Sequence, residues 1–324
     1  MDPLTHALVG IGVAALTGDR FSLANSLQLG AVLGALAPDF DIILQLCGDI
    51  PYLTHHRGSS HSIPGVLASS AVIACFLWIA IGGAAPGIIF LWALLGSISH
   101  ILLDIFNSYG AKILWPFSQK KYSMNLLVAA DPVIISLFTA AIFWPGMPRT
   151  TAEMVFWAVL AYLGIRYYMR LIVHRMLCQK YPGQEIDRIV VMPAMVSLWN
   201  WAFLVETDDS YIIGEVRHFS LQAGFKIFGP DFKVKRVLAK NPGNDLIGKA
   251  LNSKVGRIFQ AFTPYYHIYH CFEEGMHVVR FCDLRYFFRE DFLHQATVTF
   301  DEAYNIVDAV FQPYNRNRKN RVMG

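Results

Sequence analysis

A stretch of nineteen residues without a charge, 63–81, limits this chain more than any other feature. It is mostly apolar and close to the roughly 20 residues that a bilayer-spanning helix requires. Residues 86–106 are nearly as apolar but carry His100 and Asp104 near their end. Two more runs follow: 126–145, with Asp131-Pro132 near its start, and 152–173, which leaves through Arg166, Arg170, His174 and Arg175. All four predict spanning helices. Two shorter segments rich in Gly, Ala and Leu, 4–16 and 27–37, predict a hairpin packed through small residues. The expectation is an all-α polytopic membrane domain of four to six helices.

Charge density then divides the chain. Residues 1–173 hold eight Lys/Arg and eight Asp/Glu, whereas 174–324 hold nineteen and sixteen, an ordinary density for a soluble domain. The expected domains are therefore 1–175 in the membrane and 176–324 outside it. In the second part, short blocks of β-branched and aromatic residues at 188–192, 202–206, 211–217 and 278–283 are separated by turn signals at 207–210 and 241–244. They predict a smaller, mainly antiparallel β (α+β) soluble domain, with one helix around 245–259 and a short basic tail at 316–321.

The loops suggest an orientation. Arg57, Lys112, Lys120, Lys121 and the basic exit after residue 173 fall on one side if the four spans alternate, and only Arg149 falls on the other. The positive-inside rule makes the richer side cytoplasmic, with the C-terminal domain, in a multi-pass protein of the inner (plasma) membrane. No basic leader precedes the first apolar pattern, so insertion is expected to use internal segments. Membrane lipids are the expected surroundings. The net charge of +3 gives no argument for nucleic acid, and nothing names a protein partner for the C-terminal domain. Five cysteines, none in a CxxC pair, suggest neither a disulfide framework nor a thiolate zinc site.

Ionisable groups in or beside membrane spans are costly and each requires a reason. His6 lies near the start of the first apolar pattern. Asp39 and Asp41 flank Phe40 after Pro38. His55, His56, Arg57 and His61 share one loop, and His100 and Asp104 are four apart on one helical face, where they can share an ion. Singly, each has a bland explanation: a buried histidine, an acidic turn, a solvated loop, a His–Asp hydrogen bond. Under the predicted topology all of them reach one face of the membrane. Imidazoles and carboxylates without a competing thiolate suit zinc, with manganese or iron as alternatives. The candidate ligands are His6, Asp39, Asp41, His56, His61, His100 and Asp104. His267 and His270, set among tyrosines, read as an aromatic cluster instead.

The ordered string of His6, Pro38-Asp39-Phe40-Asp41, His56-Arg57-Gly58 with His61-Ser62, and His100 with Asp104 resembles a family of inner-membrane, inferred metal-dependent hydrolases, the YdjM-like or LexA-binding proteins. The continuation Asn107-Ser108-Tyr109-Gly110 and Trp115-Pro116-Phe117 looks like the YfhP-like branch. A more distant likeness is to zinc-dependent phospholipase C and the S1/P1 nucleases, although the N-terminal Trp ligand of that group is missing.

The resemblance implies a membrane-bound metal-dependent hydrolase acting on a phosphoester, a lipid or another membrane-proximal ester. Asp39 would take a proton from water or bridge two metals, Arg57 would face phosphate oxygens, and Asn107 and Ser108 would orient the substrate. The alternative is a non-catalytic regulatory or binding protein with a structural metal site. A transporter is disfavoured because the polar groups gather at one face and not at the midplane. No HExxH and no GxSxG motif is present.

Overall fold

The computed structural model describes all residues except 1, 49–50, 52–56, 145–147, 182–184, 196, 218–220, 223–225, 228–230, 242, 289, 313–319 and 323–324. The chain divides into two units. One comprises Met1–Cys47 with His55–Leu171, and the other is built mainly from Ile172–Gly324.

The first unit is helical. Its elements are α1 (Pro3–Ala15), α2 (Ser26–Leu36), a 3₁₀ continuation of α2 over Ala37–Cys47, and a short 3₁₀ turn (Ser59–His61). Then come α3 (Ile63–Ala80), α4 (Pro86–Phe106), α5 (Pro132–Phe143) and α6 (Arg149–Lys180). The starts follow local chemistry. Asp2 caps α1 through the Thr5 amide, Ser62 caps α3 through Gly65, and Asp131 caps α5 through Val133 and Ile134. In each case a proline occupies the first turn, where a missing N–H costs nothing.

Among the described residues, four helices are long and apolar enough to cross a membrane: Ser26–Leu46, Ile63–Ala80, Pro86–Phe106 and Arg149–Lys180. Large apolar side chains such as Val72, Phe76, Ile79, Leu91, Leu102 and Trp157 are exposed on them, as lipid contact requires. This set corrects the expectation at two places. The expected span at 126–145 is not one helix, because helix begins only at Pro132 and α5 has twelve residues. Pro132 forces residue 131 out of helical conformation, and Leu126 and Leu127 pack into the core as irregular chain. Arg166 of α6 makes this tolerable in an apolar setting, since its Nε donates to the Leu126 carbonyl at 2.9 Å. Conversely, the α-helix of the second segment ends at Leu36, as Pro38 leads one to expect, but the chain does not stop winding there. Pro38 marks a change from α to 3₁₀ winding, and the apolar run continues to Leu46.

α2 and α4 cross almost in backbone contact. A Cβ on Gly34 would lie 2.0 Å from the Ala93 carbonyl oxygen, and one on Gly96 would lie 2.0 Å from that of Ala31. Only glycine allows this approach. Between the two, Ser97 Oγ donates to the Gly34 carbonyl at 3.0 Å.

Among its described residues the second unit holds two larger antiparallel sheets and two short two-stranded ones, Leu221–Gln222 with Lys226–Ile227 and Phe287–Phe288 with Asp291–Phe292. The first has the order β1-β2-β3-β4, from Ile186–Pro193, Asn200–Thr207, Ser210–Arg217 and Asp231–Ala239. Two helices follow, α7 (Asp245–Asn252) and α8 (Lys254–Phe262). The second sheet, in order β9-β8-β7-β6-β5, takes β5 (Tyr266–Glu273), β6 (Met276–Asp283), β7 (Gln295–Phe300), β8 (Ile306–Gln312) and β9 (Asn320–Arg321). The single helix expected at 245–259 is split, because Ser253 leaves helical conformation and caps α8 through the Gly256 amide. Phe259 of α8 packs on Phe281 and Phe311 of the second sheet. His267 is buried between Tyr211 and Tyr269, in keeping with the aromatic reading.

Candidate metal centre

His100 is fixed from behind. The close crossing of α2 and α4 brings the Ala35 carbonyl within 2.7 Å of its Nδ1. That nitrogen must donate, so Nε2 is left with its lone pair facing the interior of the unit. One turn on, Asp104 lies 3.8 Å from the same Nε2 through Oδ2.

His61 arrives from the 3₁₀ turn before α3. That turn packs so closely on the helix that a Cβ on Gly65 would lie 2.0 Å from the Ser59 carbonyl oxygen. His61 Nε2 is 3.2 Å from His100 Nε2 and 3.2 Å from Asp104 Oδ2. Asp39 Oδ1, on the 3₁₀ continuation of α2, is 3.5 Å from His61 Nε2 and 3.6 Å from His100 Nε2. His6 of α1 stacks on His100 with centroids 3.5 Å apart, and its Nε2 is 3.7 Å from Asp104 Oδ1.

Five side chains from four separate segments therefore converge. Two overlapping groupings have donor atoms close enough to share an ion: His6, Asp39 and His100, and His61, His100 and Asp104. His100 has only Nε2 to offer, so both groupings meet at one point. The five distances among His61 Nε2, His100 Nε2, Asp39 Oδ1 and Asp104 Oδ2 given above run from 3.2 to 3.8 Å. Tetrahedral zinc with nitrogen and oxygen ligands at about 2.0–2.1 Å has ligand–ligand edges of about 3.3–3.4 Å. The distances among His61, His100 and Asp104, at 3.2, 3.2 and 3.8 Å, are thus close to those of three ligands on one such ion.

The electrostatics agree. His6, His61, His100 and Asp104 are fully buried, and Asp39 alone has a partly exposed side chain, at 19%. Burial opposes a charge on His61, but its hydrogen bonds to Asp104 and Asp39 outweigh that and hold the imidazole above its usual range. Two carboxylates facing buried imidazoles are groups that could hold a cation.

The other sequence candidates take different places. Asp41 does not join the converging atoms. It accepts from Ser60 Oγ at 2.9 Å, Ser60 lies 3.0 Å from His61 Nδ1, and Asp41 itself is 4.0 Å from that nitrogen. Asp41 and Ser60 thus hold the far side of the His61 ring. Arg57, whose backbone φ of 60° is unusual for a non-glycine residue, sets Nη2 3.2 Å from Asp104 Oδ1. Its guanidinium lies over the Tyr109 ring at 5.2 Å.

Asn107 and Ser108 do not extend the His100/Asp104 helical face, because α4 ends at Phe106 and Asn107 is extended. Both are buried. Asn107 Oδ1 accepts from the Tyr109 amide, and its Nδ2 has no hydrogen-bond partner among the described residues. His56 and its neighbour His55 lie outside the described residues. Sequence reasoning missed Ser60, Tyr109 and the Ala35 carbonyl. The serine directly before His61 was a visible signal, whereas the carbonyl depends on a helix crossing.

Comparison with known proteins now separates the two halves. Residues 1–173, more than half of the chain, match the model of the YdjM inner membrane protein family. The chain belongs to that family. All five converging residues fall inside the match. Residues 245–322 match the YfhP C-terminal alpha/beta plait domain, which here comprises α7, α8 and the second sheet. A relative from Bacillus subtilis (strain 168), "Uncharacterized protein YfhP", is 30% identical over 295 residues, covering 88% of this chain and 87% of the relative. No solved structure matches. Family membership together with four long apolar helices places this YdjM-family protein in the membrane.

Proposed function

We propose that the protein is a metal-dependent hydrolase of phosphoesters at the membrane surface. The observation that carries this reading is the convergence of His6, Asp39, His61, His100 and Asp104 beside a guanidinium on the same carboxylate. Those five residues would hold the metal, zinc by preference, with manganese or iron as substitutes. When bound, such an ion supplies Lewis acidity to a phosphoryl oxygen and to water.

The remaining work falls to side chains. Asp39, at the exposed edge, accepts a proton from water. Arg57 retains N–H groups beyond the one on Asp104 and donates them to the phosphoryl oxygens as charge builds. The Asn107 amide, a buried donor three residues beyond Asp104, is suited to hydrogen-bond the substrate. A phosphoester is favoured over a carboxylic ester because a planar, permanently charged fork adjoins the centre. A lipid phosphoester would reach this site from the bilayer. Arg57 and Lys112, whose amide donates to the Arg57 carbonyl, lie at the same end of the unit as the cluster. The positive-inside rule therefore favours the cytoplasmic face for the centre, and the basic exit of α6 favours the same side for the C-terminal unit.

The second reading is a structural metal in a regulatory membrane protein. It is favoured by the full burial of His6, His61, His100 and Asp104, since structural sites are closed. The two readings separate on hydrolysis by full-length protein in lipid nanodiscs, using bis(p-nitrophenyl) phosphate, p-nitrophenyl acetate and a fluorescent phospholipid. Metal-dependent phosphodiester cleavage is expected. In Arg57→Ala it should fall about 10²–10³-fold with metal content unchanged. No metal-dependent product from any substrate moves the protein to the structural reading.

A further inference from the structure

In the C-terminal unit one cavity combines two cations that form no ion pair among the described residues with an apolar wall. Its volume is about 410 Å³, within the range of small-molecule sites. The ladder explains its shape. On one face of the first sheet, register aligns Met192, Ala202, Glu215 and Lys233 in a row, with Asn200, Arg217 and Asp231 in the row beside it. Ala202 is the small member of the first row, and the hollow opens over it. Phe287 and Arg285, from the turn after β6, close the opposite wall.

The lining carries Arg217, Lys233, Lys235 and Arg285 against Glu215 alone. Two of these cations are neutralised: Lys235 pairs with Glu215 at 2.5 Å, and buried Arg285 pairs with Asp283 at 2.7 Å. Arg217 and Lys233 form no ion pair with any described residue, although Asp231 lies opposite Arg217 across the ladder. Another cavity of the same unit differs on this point. The cations lining it, Arg188 and Lys240, are both paired with Glu206.

We propose that this cavity binds a small organic anion, with a phosphate- or sulfonate-like group held between Arg217 and Lys233 and an apolar body resting on Met192, Ala202 and Phe287. A tetrahedral oxyanion matches two cations on diagonal positions of neighbouring strands, and an aromatic body fits the hollow over Ala202. The site lies largely in 186–239, outside both matched segments, and uses no residue of the metal centre. It would let the soluble unit sense a charged metabolite.

The test is isothermal titration of the full chain in zwitterionic-lipid nanodiscs with naphthalene-2-sulfonate, with inorganic phosphate as competitor and empty nanodiscs as blank. The expected result is saturable binding displaced by phosphate. It should weaken about tenfold or more in the Arg217→Ala/Lys233→Ala double variant and stay unchanged in Lys249→Ala. Arg217 and Lys233 are exposed, so the double variant is expected to fold. No saturable binding above the blank, equal binding by parent and double variant, or sulfonate binding that phosphate does not displace would each overturn the proposal.

Discussion

At the scale of single residues, the account rests on which ring nitrogen faces which neighbour. His100 is oriented by a backbone carbonyl, and His61 by Ser60 and through it Asp41. Such supporting contacts set the tautomer and basicity of a ligand. Ser60→Ala should therefore weaken metal affinity about 10–100-fold without abolishing it, measured by chelator competition. Asp104→Asn, at the centre itself, should abolish binding; equal behaviour of the two would refute the division into ligand and support. Most of the converging residues were legible in the sequence, because histidine and aspartate are costly beside apolar runs and so stand out. Asp41 was placed among the ligands because two carboxylates two positions apart look equivalent in sequence. The 3₁₀ winding after Pro38 separates them, sending Asp39 to the Nε2 side of His61 and Asp41 to its Nδ1 side.

At the scale of elements, the decisive contact is the crossing of α2 and α4. Gly34 and Gly96 lie where any side chain would strike backbone, and that crossing delivers Ala35 to His100. Gly96→Val is expected to separate the two helices. Detergent-solubilised protein should lose thermal stability by several degrees and should bind metal weakly, since overpacking of this kind costs about 1–3 kcal/mol. Unchanged melting and metal binding would show that the crossing is not what builds the centre. The richness of the early segments in glycine and alanine announced a close-packed pair, but not that α4 would be the partner. The span expected at 126–145 failed because hydropathy sums over residues and ignores backbone. Asp131-Pro132 starts a helix at that point, and Arg166, read from sequence only as part of a basic exit, provides the hydrogen bond for the carbonyl the missing helix leaves behind.

At the scale of the whole molecule, two chemistries share one chain. The apolar half builds a buried cluster of three histidines and two aspartates, and the charged half builds two larger antiparallel sheets with two short helices. That contrast was legible because lipid and water impose opposite compositions. The strands at 188–192, 202–206, 211–217 and 278–283 were visible because turn residues bracket them, and the break at Ser253 was not, since serine is tolerated within helices. The central claim is that the five converging residues hold a metal. Elemental analysis of the purified full-length protein, alongside His100→Ala, Asp104→Ala and the control His270→Ala in the C-terminal unit, tests it most directly. The account predicts near-stoichiometric zinc, manganese or iron in the parent and in His270→Ala, lost in the other two. No bound metal after loading, or metal retained in both His100→Ala and Asp104→Ala, would contradict it.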